Sequence, residues 1–226
     1  GTPGYESRPS NEAVIQQGVN ISADEVTLDG FEVTNNGGNG FKLSVAPSDV
    51  VITNNRVVDI AGGTAGDQKA FANGINLQFN KAFKETSSGI ELTNNEIANV
   101  TTEDMDSYSN DAIGIQLLPR GNDVEDLRIA DNVIRDVEPG DASDNGRAEA
   151  RGISVDTQFV DQPNGDTRGN YGQATNLTIQ NNEIYNLTSE YSRAISVFED
   201  KDGSSNNPGA NIGPVNFTIA SNTIDR

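Results

Sequence analysis

The chain has 226 residues, with 34 Asp and Glu against 15 Lys and Arg and a formal net charge of −19. That charge disfavours nucleic acid and anionic membrane surfaces as partners, because like charges repel. Only 34% of the residues are hydrophobic and 6% aromatic, which is lean for a compact globule but adequate for stacked repeats that each bury a thin interior.

Cysteine and histidine are absent, and methionine occurs once, as Met105. This chain therefore has no disulfide, no thiolate nucleophile and no Cys-ligated metal. The usual base at neutral pH is missing, and copper is disfavoured. No apolar run approaches the ~20 residues of a membrane span, so direct membrane insertion is not expected. The acids are spread along the chain and lysine is scarce. That pattern favours carboxylate hydration in high salt, where screening weakens self-repulsion, over one dedicated cation-binding surface. The chain opens with Gly1-Thr2-Pro3-Gly4, as expected of a processed or excised piece. Asn-x-Ser/Thr sequons at Asn20, Asn99, Asn176, Asn186 and Asn216 fit an extracellular or cell-surface protein.

In chain order, residues 1–18 are expected to cap one end and residues 19–226 to form one repeating domain. The first repeat carries Leu28-Asp29-Gly30-Phe31-Glu32-Val33 and the second Ile52-Thr53-Asn54-Asn55-Arg56-Val57. Equivalent segments start at Leu92, Ile129, Ile179 and Ile219, so the intervals are 24, 40, 37, 50 and 40 residues. About 24 residues suffice for one coil of three short strands, and the longer intervals are insertions into it. Two residues upstream of each start stand Val26, Val50, Ile90, Leu127, Leu177 and Phe217. They extend a period-two pattern, with Leu177 and Ile179 inward and Asn176 and Thr178 outward.

A second set runs in phase: Gly40-Phe41-Lys42-Leu43, Gly74-Ile75-Asn76-Leu77, Gly114-Ile115-Gln116-Leu117, Gly152-Ile153-Ser154-Val155 and Ala194-Ile195-Ser196-Val197. Each reads as an alternating strand. Asn55, Asn95, Asn132, Asn182 and Asn222 share one position. They are expected at a sharp corner in left-handed backbone, with their amides stacked as a ladder. Phe31 stands there in the first repeat.

The Ile-x-Asn-Asn-x-Ile and Gly-Ile-x-Val patterns resemble the right-handed parallel β-helix superfamily over residues 19–226. That group includes pectate-lyase-like enzymes, phage tailspikes, cell-surface repeat proteins and copper-accessory periplasmic proteins. The acidity resembles that of salt-adapted proteins of halophilic archaea and bacteria. The fold class implied is all-β, a single right-handed parallel β-helix solenoid of about six coils with long loop insertions. Coils at about 4.8 Å each span roughly 30 Å. The last coil ends in open strand edges, expected to be covered by further chain or another subunit.

Chemistry is expected in the insertions at 101–112, 138–150, 156–174 and 198–212, which are rich in acids. The last two follow equivalent strands and should be neighbours. Calcium is the metal that suits hard oxygen donors. Asp104-x-Asp106-x-Tyr108-x-Asn110 and Asp200-x-Asp202-Gly203-x-x-Asn206 alternate such donors but complete no EF-hand loop, so solvated acidic loops remain the simpler reading.

Arg151 and Arg193 precede equivalent strands, and a structural pair bridging neighbouring loop acids is the simpler reading of them. Ser154, Ser196, Asp156 and Phe198 should share their outward face, and Asn76, Gln78 and Gln116 continue it toward the N-terminus. Such a strip suits a sugar chain, with amides and Arg for hydroxyls or carboxylates and Phe198 and nearby Tyr residues for stacking. The resemblance implies that lyases of this class use a basic residue and calcium-bound acids on such a face, and that hydrolases use clustered Asp. Asp156 with Glu199 or Asp200 is the nominated acid pair, for which an inverting geometry needs about 6.5–9.5 Å. No contiguous Asn-Thr-Asp or Gly-x-Asp-Asp occurs. The leading expectation is therefore an extracellular or cell-surface domain that binds polysaccharide or a surface component. A polysaccharide lyase or glycoside hydrolase is the alternative, and a structural spacer the third reading.

Overall fold

A computed structural model describes residues 13–63, 69–79, 85–104, 109–119, 122–142, 147–157, 159–160, 170–171, 173–199 and 216–225. Every regular element among them is a β-strand, and no helix is long and apolar enough to cross a membrane. Three parallel sheets hold most of the strands. A sheet of short strands runs through Thr27–Asp29, Val51–Thr53, Glu91–Thr93, Arg128–Ala130, Thr178–Gln180 and Thr218–Ala220. A seven-stranded sheet begins with Ala13–Ile15, inside the expected cap, and ends with Thr223–Ile224. A sheet of long strands runs through Val19–Ile21, Asn39–Leu43, Lys69–Gln78, Ser109–Leu118, Arg147–Thr157 and Tyr191–Glu199. The chain passes from short-strand to seven-stranded to long-strand sheet and returns, adding one strand to each. This all-β, parallel arrangement is compatible with a parallel β-helix.

The register follows the repeats. Leu28, Ile52, Leu92, Ile129, Ile179 and Ile219 are successive direct partners. The four from Ile52 to Ile179 are fully buried, whereas Ile219, in the last strand of its sheet, is 44% exposed. A second file runs through Val33, Val57, Ile97, Ile134 and Ile184, and a third through Phe41, Ile75, Ile115 and Ile153. Apart from Ile219, all belong to one hydrophobic core or, as Leu28 does, pack against it. Each fully buried aliphatic side chain contributes about 1.5–3 kcal/mol against the cost of ordering the chain.

The stacked Gly40, Gly74, Gly114 and Gly152 mark where the seven-stranded and long-strand sheets approach. A Cβ on Gly114 would lie 2.6 Å from the Gly152 carbonyl oxygen and 2.5 Å from Ile134 Cγ2. Ala194 takes the equivalent place in the last long strand, beyond which no strand of that sheet follows among the described residues.

The asparagine ladder is continuous. Asn55 Nδ2 donates to Asn95 Oδ1 (3.1 Å), Asn95 to Asn132 (3.1 Å), Asn132 to Asn182 (3.0 Å) and Asn182 to Asn222 (2.9 Å). Each accepting oxygen also takes the backbone N–H of the preceding ladder residue. Phe31 joins through its backbone N–H, which donates to Asn55 Oδ1. The left-handed backbone falls one residue earlier than expected, at Asn54, Asn94, Asp131, Asn181 and Ser221. The ladder residue needs its side chain inside the turn, so its neighbour makes the corner.

A second corner, inside the seven-stranded sheet, alternates Asp59, Asn99, Asp136 and Asn186, all with φ between 52° and 54°. Asn99 Nδ2 donates to Asp59 Oδ1 (2.9 Å) and Asn186 Nδ2 to Asp136 Oδ1 (3.0 Å). Alternation keeps like charges from facing one another across adjacent strands. Two further elements lie outside the expected three-strand repeat. Thr86–Ser88, Asp123–Glu125 and Ala174–Thr175 form a small parallel sheet, and Phe159–Val160 pairs antiparallel with Asn170–Tyr171.

Candidate functional site

The long strands start five residues before the Gly-Ile motif, at Lys69, Ser109 and Arg147. Small inward residues make this extension possible: Ala72, Ala112 and Ala150 are fully buried in the core. Part of the expected insertions 101–112 and 138–150 is therefore strand. Alternation then places Arg147, Glu149 and Arg151 on the outer face.

Glu149 is the hub of that face. Its carboxylate side chain is only 3% exposed and receives three guanidinium groups. Arg147 Nε lies 2.6 Å from Oε1, and Arg193 Nη1 lies 2.8 Å from Oε2. Arg151 meets Oε2 through Nε at 2.7 Å and through Nη2. A carboxylate this buried is tolerated only when paired and hydrogen-bonded. Arg151 and Arg193 are direct partners across adjacent strands, which is what allows one carboxylate to hold both. Sequence reasoning counted Glu149 among loop acids. The alternation Arg147-x-Glu149-x-Arg151 ahead of Gly152 was the signal that it belongs to a strand.

Beside the hub, Asn76, Gln116, Ser154 and Ser196 form one register row. Ser196 Oγ donates to Ser154 Oγ (3.3 Å), and Arg151 Nη1 also reaches Ser154 Oγ (3.4 Å). Asn76, Ser154 and Ser196 are buried although they alternate with the core residues. Gln78 lies two residues beyond Asn76, half-buried, in register with Leu118. A parallel row carries Phe71, Asp111, Glu149 and Tyr191. Its two aromatic ends are 43% and 40% exposed. The Arg147 guanidinium stands 4.7 Å from the centroid of the Tyr191 ring, a cation–π distance. The sequence singles out neither position, though tyrosines near Phe198 are expected to stack, because an exposed aromatic has no periodicity of its own.

The remaining candidates are placed less closely. Asp156 pairs in register with Phe198, and Thr157 with Glu199. The side chains of Phe198 and Glu199, and the whole of Asp106, Asp200 and Asp202, lie outside the described residues. Asp104 is exposed, and its Oδ1 accepts the backbone N–H of Asp141 (2.9 Å). Asn110 is buried and donates through Nδ2 to the carbonyls of Gly140 (3.2 Å) and Asp141 (2.6 Å). Among the described residues no three acids gather as a metal ion would require.

Chemically, the Arg151 and Arg193 forks are held by Glu149, and what the face presents to a ligand is the exposed rings of Phe71 and Tyr191, which can stack. No protein-family model, curated protein or solved structure matches the chain.

Proposed function

We propose that the chain is a right-handed parallel β-helix solenoid from an extracellular or cell-surface protein of a high-salt environment. It binds polysaccharide, or a surface component presenting one, along the outer face of the long-strand sheet. The observation that carries this reading is the row Phe71, Asp111, Glu149 and Tyr191, whose two aromatic ends stand exposed on that face. Parallel strands repeat such groups at about 4.8 Å. A ladder of this kind suits a polymer with recurring hydroxyls, whereas a small apolar ligand needs a concave pocket. The net charge of −19 and exposed Asp–Asn corners support salt adaptation, since screening relaxes carboxylate repulsion.

A panel of acidic and neutral polysaccharides, tested in 2 M KCl with and without calcium, separates the readings. Retention without cleavage is the expected result. New reducing ends or unsaturated products would support the alternative, a lyase or hydrolase using Asp156 with Glu199 or Asp200 beside Arg151 and Arg193. Calcium dependence would point to Asp104, Asp106, Asp200 and Asp202. No retention of any polymer would remove the reading altogether.

A further inference from the structure

The register row that carries Ser196, Ser154, Gln116 and Asn76 continues to Lys42 and Asn20 in the first repeats. There it meets an open cleft of about 170 Å³ lined by Gly18, Val19, Asn20, Asn35, Asn39 and Lys42. Its hydrogen-bonding character is one-sided. Asn39 Oδ1 accepts two amides, Asn73 Nδ2 (3.2 Å) and Asn76 Nδ2 (2.8 Å). Asn73 and Asn76 are each only 3% exposed, so this pair fixes the Asn39 amide with its NH2 group turned away from them. The opposite orientation of the three amides would leave buried NH2 donors unmet. The one observed leaves buried carbonyl oxygens, Asn73 Oδ1 and Asn76 Oδ1, which is the lesser cost.

At the other wall, Asn20 Oδ1 accepts the Ser44 hydroxyl (2.8 Å), so its NH2 group is the end left to a ligand. Asn35 is occupied at both ends, by the Asn39 carbonyl and the Gly37 N–H. Lys42 has no ion pair among the described residues. The side-chain groups on offer are therefore two NH2 groups and one ammonium, all donors.

From this we infer that the cleft is a subsite for a single acidic sugar unit, with its carboxylate on Lys42 and ring oxygens on the Asn20 and Asn39 amides. The Lys42 ammonium repels a cation, and the donor side chains beside it favour an anionic acceptor. The volume falls below the roughly 300 Å³ at which drug-sized pockets begin, so one ring fits and the rest of a chain lies outside the cleft. The inference rests on the polysaccharide reading and names the charge class and the anchoring end.

The test is a titration of the protein and of Lys42→Gln with glucuronate, glucose, acetate and sulfate in 1 M KCl. Amide resonances of residues 18–20 and 35–42 are followed by NMR. Glucuronate is expected to shift them saturably, at least about ten-fold more tightly than glucose. Lys42→Gln is expected to abolish that preference and leave the weak response to glucose unchanged. Absence of a glucuronate response, or equal affinity in Lys42→Gln, overturns the subsite. Acetate or sulfate matching glucuronate also overturns it, because the ring would then contribute nothing. Polymer retention by both proteins without a monosaccharide response would sink the subsite and leave the broader reading standing. A monosaccharide response without polymer retention would do the reverse.

Discussion

Asn132→Ala is expected to destabilise the protein by about 4 kcal/mol, because it strands several buried polar groups together. Asn132 Oδ1 accepts both the backbone N–H and the Nδ2 of Asn95, and its own Nδ2 donates to Asn182 Oδ1 and to the Leu92 carbonyl. Removing the side chain leaves two donors on Asn95, itself fully buried, without the oxygen that accepted them. Each such donor costs about 1–3 kcal/mol. For a domain of this size the melting temperature should fall by about 8–16 °C. Asn222→Ala provides the comparison. Its removal also takes the acceptor from two Asn182 donors, but Asn222 is half-buried in the last described layer, where solvent reaches those donors once the side chain is gone, so about 1 kcal/mol is expected. Calorimetry on the two variants decides the matter. Equal losses would mean that the ladder is not the internal tie described above.

Glu149→Gln is the second large effect, expected at about 3–5 kcal/mol, the range for breaking a buried ion pair from one side. The substitution keeps the shape and removes the counter-charge of three guanidinium groups. Arg151, with 12% of its side chain exposed, and Arg193, with 32%, should carry most of the loss. Arg147 is 51% exposed, and solvent compensates it. Adding Arg193→Gln to Glu149→Gln should recover part of the stability, with a coupling of about 0.5–3 kcal/mol. Urea titrations of the single and double variants measure that coupling. Strict additivity would show that Glu149 does not hold Arg193.

The contrast between these residues explains what could be read from the chain. Ladder asparagines recur because each is tied both above and below, so no other side chain serves. The corner residue before them needs only a positive φ, and Gly30, Asn54, Asp131 and Ser221 all meet that need. The constant residue drew attention, and the corner was assigned to it rather than to its variable neighbour. The same logic accounts for four of the five sequons. Asn99, Asn176, Asn186 and Asn216 all have positive φ, each is followed by an aliphatic or aromatic residue and then by Thr. Corner, inward and outward positions succeed one another in that order.

The repeat offsets were legible because register pairs residues one to one: 24, 40, 37, 50 and 40 residues separate the hydrogen-bonded ladder partners. The site was legible only in part. Arg151 with Arg193 and Ser154 with Ser196 follow from the phase of the repeats. Glu149 did not, because alanine at the inward positions gives too weak a hydrophobic signal to extend the strand toward Arg147. The cleft beside Lys42 was hidden for another reason. It depends on which end of each amide faces it, and only the hydrogen-bond network decides that.

Hydroxyl-radical footprinting of the protein with and without a retained polysaccharide tests the binding face most directly. Phe71 and Tyr191 are exposed on the long-strand sheet, and Phe217, 49% exposed, precedes the last short strand. The expected result is lowered oxidation of Phe71 and Tyr191 in the complex, with Phe217 unchanged. Protection of Phe217 alone, with Phe71 and Tyr191 oxidised as in the free protein, would place the ligand elsewhere and contradict the account.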